Sequence, residues 1–145
     1  MRLSSALIAA MLSLSAAAAL PAQTAAAAGA AAMPADSLAH ARHLTDLFFS
    51  GKHDSLLVHF APGDEPMTVA ELQNRLEQLA GRAGSEVEVV EEKFVKRNGM
   101  TQYWRTGKYT DFEEPVLFRW AFTKQGQIAG MGLGPASNAP PVDPD

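Results

Sequence analysis

The chain has 145 residues and no cysteine, and its 12 basic and 16 acidic residues give a formal net charge of −4. This balance, without a basic cluster, argues against a nucleic-acid partner, because phosphate recognition needs grouped Lys and Arg side chains. The lack of cysteine excludes disulfides and a cysteine-linked lipid, so packing has to supply the stability.

The first element in chain order is an N-terminal leader. Arg2 gives a positive start, and residues 3–20 are small or apolar without a charge. This pattern predicts a signal peptide and Ala-rich linker over 1–30, with cleavage within about 22–32. No second apolar stretch of about 18 residues follows, so we expect no membrane span after cleavage. The expected product is exported, either to a periplasm or as a secreted protein.

Helical periodicity follows the leader and ends near Gly84. The spacing of apolar residues predicts a helix over about 36–50, a short helix over about 54–60 and a third helix after Thr68. Thr68 and Glu71 form a capping-box pattern, in which each side chain satisfies a free backbone amide at the helix start.

Strand periodicity begins after Gly84. Alternating residues predict four strands, over about 86–97, 100–112, 116–124 and 127–133. Asn98-Gly99 is a strong signal for a type I′ hairpin, since both of its residues tolerate positive φ.

Together the elements predict a single α+β domain over 36–135. Its N-terminal helices are expected to pack on a curved four-stranded antiparallel sheet. Residues 136–145 are rich in proline and are predicted to form a disordered tail.

The turns predict which residues pair across neighbouring strands. Besides Asn98-Gly99, turns are predicted at Glu113-Glu114 and Gln125-Gly126, and residues pair symmetrically about each turn. The predicted pairs include Glu92 with Arg105, Phe94 with Tyr103, Tyr109 with Phe118, and Trp120 with Met131.

The same pairing divides the side chains between two faces of the sheet. One face should be covered by the helices, and its predicted apolar members are Val90, Phe94, Tyr103, Tyr109, Phe118, Trp120, Phe122, Met131 and Leu133. The outer face is mixed and is predicted to meet solvent or a second subunit, with Lys93, Trp104, Thr106, Lys108, Leu117, Arg119 and Ile128.

This order of elements, with an early FFSGKHDSLLVHFAP segment and a closing FTKQGQIAGMGLGP strand, resembles the nuclear transport factor 2-like, or cystatin-like, superfamily. More narrowly, it resembles small exported domains of unknown function that also occur ahead of hydrolase domains. The resemblance spans about 36–135. It implies a cone with a pocket between sheet and helices, homodimers through the outer sheet face, and either ligand binding or isomerase- or cyclase-type activity.

A ligand site is predicted on the covered face. A carboxylate and a guanidinium among aromatic rings would orient a polar ligand group while the rings enclose its apolar part. The alternative is an ordinary cross-strand ion pair of small energetic value. The predicted ligand-binding residues are Glu92, Tyr103, Arg105, Tyr109, Phe118 and Trp120.

Catalysis in the same pocket is the second hypothesis. Glu88 or Glu92 would be the base, and Tyr103 or Tyr109 would stabilise the oxyanion. No motif supports those roles, and the tyrosines are explained as core aromatics, so no catalytic residue is assigned. The sequence thus favours a non-catalytic exported domain that binds a small apolar or amphipathic ligand or a protein partner. A small isomerase- or cyclase-type enzyme, or a hydrolase-accessory enzyme, is the alternative.

Two further patterns have simple explanations. His40 and His43 share a helix face with Asp36, which permits metal binding when another ligand completes the site, but a solvated histidine pair also explains it. The glycines of 130–134 lack the Lys and following helix of a phosphate loop. No metal and no cofactor are predicted.

Overall fold

In the computed structural model, which describes residues 36–144, three helices precede one four-stranded antiparallel sheet. The α+β class predicted from the sequence is therefore confirmed. The predicted signal peptide lies outside the described residues. No helix within 36–144 has the length and apolar content that a bilayer crossing requires. The elements are α1 (Ser37–Phe49), α2 (His53–Leu57), α3 (Val69–Ala83), β1 (Glu86–Arg97), β2 (Met100–Tyr109), β3 (Phe112–Phe122), β4 (Ile128–Pro135) and a 3-10 turn (Ala136–Asn138).

The helix ends follow from local hydrogen bonding. Asp36 caps α1 by accepting a hydrogen bond from the amide of Ala39, at 3.2 Å. At the start of α3 the predicted capping box is confirmed: the Thr68 amide donates to Glu71 Oε2 at 2.8 Å, and the Glu71 amide donates to Thr68 Oγ1 at 3.2 Å. Gly84 ends α3 with φ +76°, a backbone conformation that disfavours residues with a Cβ.

The sheet is a meander in the order β1-β2-β3-β4, and its second turn differs from the prediction. That turn lies at Thr110 and Asp111 rather than at Glu113-Glu114. Backbone bonds hold it there, because the Thr110 amide donates to Ser85 O and the Asp111 amide to Ala83 O, both at 3.0 Å. The end of α3 therefore determines where β2 turns back.

The displaced turn changes the partners but not the faces of β3. Phe118 pairs with Arg105 instead of the predicted Tyr109, and Trp120 pairs with Tyr103. The partner of Phe118 on β2 moves by four residues, from 109 to 105, which is an even number, so the β3 side chains keep their predicted side of the sheet. The pairs predicted around the first and third turns, Glu92 with Arg105, Phe94 with Tyr103 and Trp120 with Met131, are confirmed.

β1 is irregular and less covered than predicted. A register shift between Val89 and Glu91 places Val89, rather than Val90, opposite Gly107. Val90 lies in the bulge and is 49% exposed, and Phe94 is 36% exposed. The predicted position of Val90 under the helices was wrong, because a bulge in an edge strand turns side chains away from the regular face. Phe94 keeps its predicted face, with its ring 5.6 Å from that of Tyr103, but it is only partly covered on this edge strand.

Ile128 was predicted on the outer face but is buried in the core. A register shift between Ala121 and Phe122 makes Ile128 the partner of Phe122, and Phe60 forms a parallel bridge with Ile128. The chain after α2 therefore covers the start of β4.

Aromatic rings fill the space between α1 and the sheet. The ring of Phe48 lies 5.4 Å from that of Phe118 and 6.1 Å from that of Trp120, and the last two are 4.8 Å apart edge to face. Burying each such side chain stabilises the fold by about 1.5–3 kcal/mol. The fully buried side chains of this core include Leu44, Phe48, Leu56, Leu72, Tyr103, Phe118, Trp120, Phe122 and Ile128.

The outer face of the sheet also differs from the predicted surface. Trp104 and Leu117 are both buried, although they were expected to meet solvent or a second subunit. The Trp104 indole donates a 3.0 Å hydrogen bond to Gln102, and Arg119 lies 6.0 Å from its ring. The apolar part of this face is thus already covered by the same chain.

The C-terminal segment 136–144, predicted to be disordered, is fastened to the β1–β2 turn. The two carboxylate oxygens of Asp143 accept hydrogen bonds from the amides of Asn98 and Gly99, both at 2.9 Å, and the Asp143 amide donates to Lys96 O at 2.8 Å. A proline-rich sequence forms few internal bonds, so its order comes from these distant partners.

The path of this tail explains the covered outer face. It starts at Pro135, which pairs with Val116, and ends at β1 on the opposite edge of the sheet. The helices occupy the inner face, so the tail crosses the outer face, where Trp104 and Leu117 lie. We conclude that the tail is part of the folded domain.

Candidate functional site

A polar cluster lies where α1 meets the inner face of β1 and β2. Arg42 of α1 donates from Nη2 to Glu92 Oε2 at 2.6 Å and from Nε to the same oxygen at 3.0 Å. The hydroxyl of Tyr103 donates to the other oxygen of Glu92. The Glu92 side chain is 12% exposed, whereas Arg42 is 52% exposed and forms the solvent side of the cluster.

Arg105 extends the cluster along β2. Its Nε donates to Glu86 Oε1 at 3.1 Å, its Nη2 contacts the second oxygen of Glu86, and its Nη1 lies 3.6 Å from Glu92. Glu86 reaches this position because Gly107 has no side chain: a Cβ there would overlap the Glu86 carboxylate. Arg105 is therefore held between two carboxylates.

These contacts fix the protonation states. Hydrogen bonding by Arg42 lowers the pKa of Glu92 against the opposing effect of its burial, and Tyr103 lowers it further. Burial and the neighbouring Glu92 raise the pKa of Tyr103 above its ordinary value of 10.0. Glu92 is thus an ionised, weakly basic carboxylate beside a neutral phenol, whereas proton abstraction needs a carboxylate of raised basicity.

The six predicted ligand-binding residues do not surround one space. Tyr103, Phe118 and Trp120 pack against each other and against α1, and Tyr109 belongs to a separate cluster with Leu79. The structure brings Glu92 and Arg105 together as predicted, but in contact with charged partners. None of the six lines the cavity described below.

A cavity of about 370 Å³ lies instead between α3 and the adjacent ends of β3 and β4. Its floor is apolar and includes the buried Leu79, Ala83 and Val116. Its rim carries the exposed Arg75 and Arg82. The full lining is Arg75, Gln78, Leu79, Arg82, Ala83, Phe112, Val116, Leu133, Gly134 and Pro135.

The helix contributes to this cavity through one stripe. Arg75, Leu79 and Arg82 follow one another at intervals of four and three residues, so they share a face of α3. Leu79 points into the small cluster with Tyr109, and the two arginines flank it. The end of β4 supplies the facing wall.

Sequence reasoning missed this cavity, although two signals for it are present. The first is that Arg75 and Arg82 interrupt the α3 face that carries the leucines. The second is that β4 ends in Gly134-Pro135, where glycine has no side chain and proline cannot donate a ladder hydrogen bond. Neither signal shows that the helix stands away from the sheet at this point, because that depends on where the β2–β3 turn is placed.

The histidines form a further cluster. The ring centroids of His40 and His59 are 5.8 Å apart, and those of His43 and His59 are 6.5 Å apart. Burial, followed by His40 and His43, lowers the pKa of His59. Within residues 36–144, no group of three or more His, Cys, Asp or Glu side chains is arranged to hold a metal ion.

No protein-family model, no curated protein and no solved structure matches the chain. Function therefore has to be inferred from the geometry and chemistry of the site itself.

Proposed function

We propose that this protein is an exported, non-catalytic domain of the nuclear transport factor 2-like type that binds a small amphipathic molecule. The ligand would occupy the cavity between α3 and the ends of β3 and β4. One observation carries the proposal: a cavity with a buried apolar floor and a polar rim, which is the usual composition of a small-molecule site.

The size of the cavity sets the size of the ligand. A volume of about 370 Å³ holds about a dozen non-hydrogen atoms at the ~30 Å³ that a water molecule takes in the liquid. Each apolar contact with the floor gains about 25 cal/mol per Å² removed from water. A medium-length alkyl chain or one aromatic ring with a polar group fits these limits.

The chemistry of the site supports binding over catalysis. The lining residues carry no carboxylate, imidazole or hydroxyl group, so they offer neither a base nor a nucleophile. The carboxylate predicted as a base, Glu92, is ionised and bonded to Arg42 and Tyr103. The enzyme alternative therefore has no supporting observation among the described residues.

Two glutamines of α3 offer a matched test. Gln78 lines the cavity and bonds to Asn74, whereas Gln73 bonds to Glu77 and does not line it; both are exposed. Gln78→Trp places a large side chain at the cavity mouth, and Gln73→Trp makes the same change outside it.

The measurement is calorimetric titration of the mature domain with octanoate and, separately, with 1-octanol. We expect the wild type and Gln73→Trp to bind at least one probe, and Gln78→Trp to bind it about tenfold or more weakly. If the wild type binds neither probe, or if Gln78→Trp binds as tightly as the wild type, the proposed site is wrong.

A further inference from the structure

The rim of the cavity is positively charged, although acidic residues outnumber basic ones in the chain. Arg75 and Arg82 both line the opening, and the lining contains no acidic residue. A ligand that enters this cavity therefore meets two guanidinium groups and no carboxylate from the lining.

The two arginines differ from those of the polar cluster. Arg42 and Arg105 are bound to Glu92 and Glu86. In contrast, the ion pairs formed by residues 36–144 include neither Arg75 nor Arg82. The guanidinium groups at the cavity rim keep their hydrogen-bond donors available.

Glu71 is the acidic residue that interacts with Arg75, but its carboxylate is already engaged. It accepts hydrogen bonds from the amide and the hydroxyl of Thr68, at 2.8 and 2.9 Å. These bonds and, to a smaller extent, Arg75 lower the pKa of Glu71. The capping role of Glu71 occupies its carboxylate at the helix start, and Glu71 and Arg75 do not form one of the ion pairs found within residues 36–144.

We infer that the ligand of this cavity is an amphipathic anion, with a carboxylate or similar planar oxyanion at the arginine rim and an apolar part on the Leu79 floor. This inference rests on the proposed function. A guanidinium donates two parallel hydrogen bonds to a carboxylate, and such charge-assisted bonds are about twice as strong as neutral ones. Leu79, Ala83 and Val116 hold no polar side-chain atom, so the ligand's charge stays at the rim.

The test compares three probes with the same alkyl chain: octanoate, 1-octanol and octylammonium. We expect the wild-type domain to bind octanoate about tenfold or more tightly than 1-octanol, and octylammonium the most weakly. The preference for octanoate should shrink as salt concentration rises, because the rim is exposed to solvent.

Variants locate the source of the preference. Arg75→Gln with Arg82→Gln should bring octanoate and 1-octanol to similar affinities, chiefly because octanoate binds more weakly. The control is Lys52→Gln with Lys124→Gln, which removes the same charge at exposed positions outside the cavity. This control should keep the preference.

The outcomes separate the two proposals. If 1-octanol binds at the cavity as tightly as octanoate, the ligand is not an anion, but the binding function stands. If the preference survives in the double arginine variant, the rim is not its source and the inference is wrong. If the wild type binds none of the three probes, the proposed function itself fails.

Discussion

The indole Nε1 of Trp120 donates a 3.0 Å hydrogen bond to Oγ1 of Thr45, and both residues are fully buried. The Thr45 hydroxyl in turn donates a hydrogen bond to the backbone oxygen of Ala41 at 2.8 Å. This chain of two bonds joins the middle of β3 to the middle of α1. It satisfies the polar atom of the largest core side chain, and it sets the position of the helix along the sheet.

Removing the hydroxyl of Thr45 should therefore destabilise the domain. Thr45→Val keeps the shape but leaves the indole N–H buried and unpaired, which costs about 1–3 kcal/mol of unfolding free energy. Thr45→Ser keeps the hydroxyl and loses one methyl group, which costs about 0.8 kcal/mol or slightly more. Urea denaturation measures both, and an equal loss in the two variants would show that the hydrogen bond does not matter.

Glu92 should make stability depend on pH on the acid side. The pKa of Glu92 is lowered in the folded protein. Its contribution to the unfolding free energy is therefore complete above its ordinary pKa of 4.5 and is lost as the pH falls through the lowered pKa. Glu92→Gln should remove this part of the acid dependence. The measurement is the unfolding free energy from about pH 7 to about pH 3. Glu113→Gln, an exposed change, is the control and should follow the wild-type curve.

Asp143 should hold the tail on the outer sheet face. Asp143→Ala removes the acceptors for two backbone amides, so we expect Trp104 to become more exposed and its emission to shift to longer wavelength. The same hydrogen bonds lower the pKa of Asp143 from its ordinary value of 3.8. The tail should therefore stay attached above pH 3.8 and detach as the pH falls through the lowered pKa. Asp64→Ala, a change at an exposed position, should alter nothing, and an unshifted tryptophan emission in Asp143→Ala would contradict the role.

The histidine cluster should weaken the fold as pH falls below 6.5. The pKa of His59 is lowered in the folded protein. Below pH 6.5 the unfolded chain therefore binds a proton at His59 more readily than the folded protein does, and the unfolding free energy decreases. His40→Gln removes one neighbouring imidazole and should raise the pKa of His59 towards 6.5, with burial still keeping it lower. Proton NMR titration of His59 measures this, and an unchanged pKa would mean that His40 does not contribute to lowering it.

The sheet face of most aromatic residues could be predicted because side-chain direction depends only on odd or even position. Tyr103 and Trp120 lie on the same side of the sheet as directly paired residues, although the turn between their strands was predicted at Glu113-Glu114 instead of Thr110 and Asp111. A change of register by an even number of residues preserves the face. The bulge that holds Val90 changes the parity locally, and nothing in the adjacent sequence marks it.

The cavity and the tail could not be predicted, because both depend on contacts far apart in sequence. The amides that hold Asp143 lie 45 and 44 residues before it. The cavity depends on the separation of α3 from the end of β4, and so on where the β2–β3 turn is placed against the end of α3. Local propensity and alternation describe neither quantity.

The fastening of Asp143 has a mechanical consequence. An edge strand at the end of a chain is normally the first part of a sheet to peel away. Here a force that pulls on the C-terminus reaches the Asn98-Gly99 turn before it reaches β4, because the tail is anchored across the whole width of the sheet. The β1–β2 turn therefore bears the force first, and β4 cannot separate from β3 until the hydrogen bonds of Asp143 have broken.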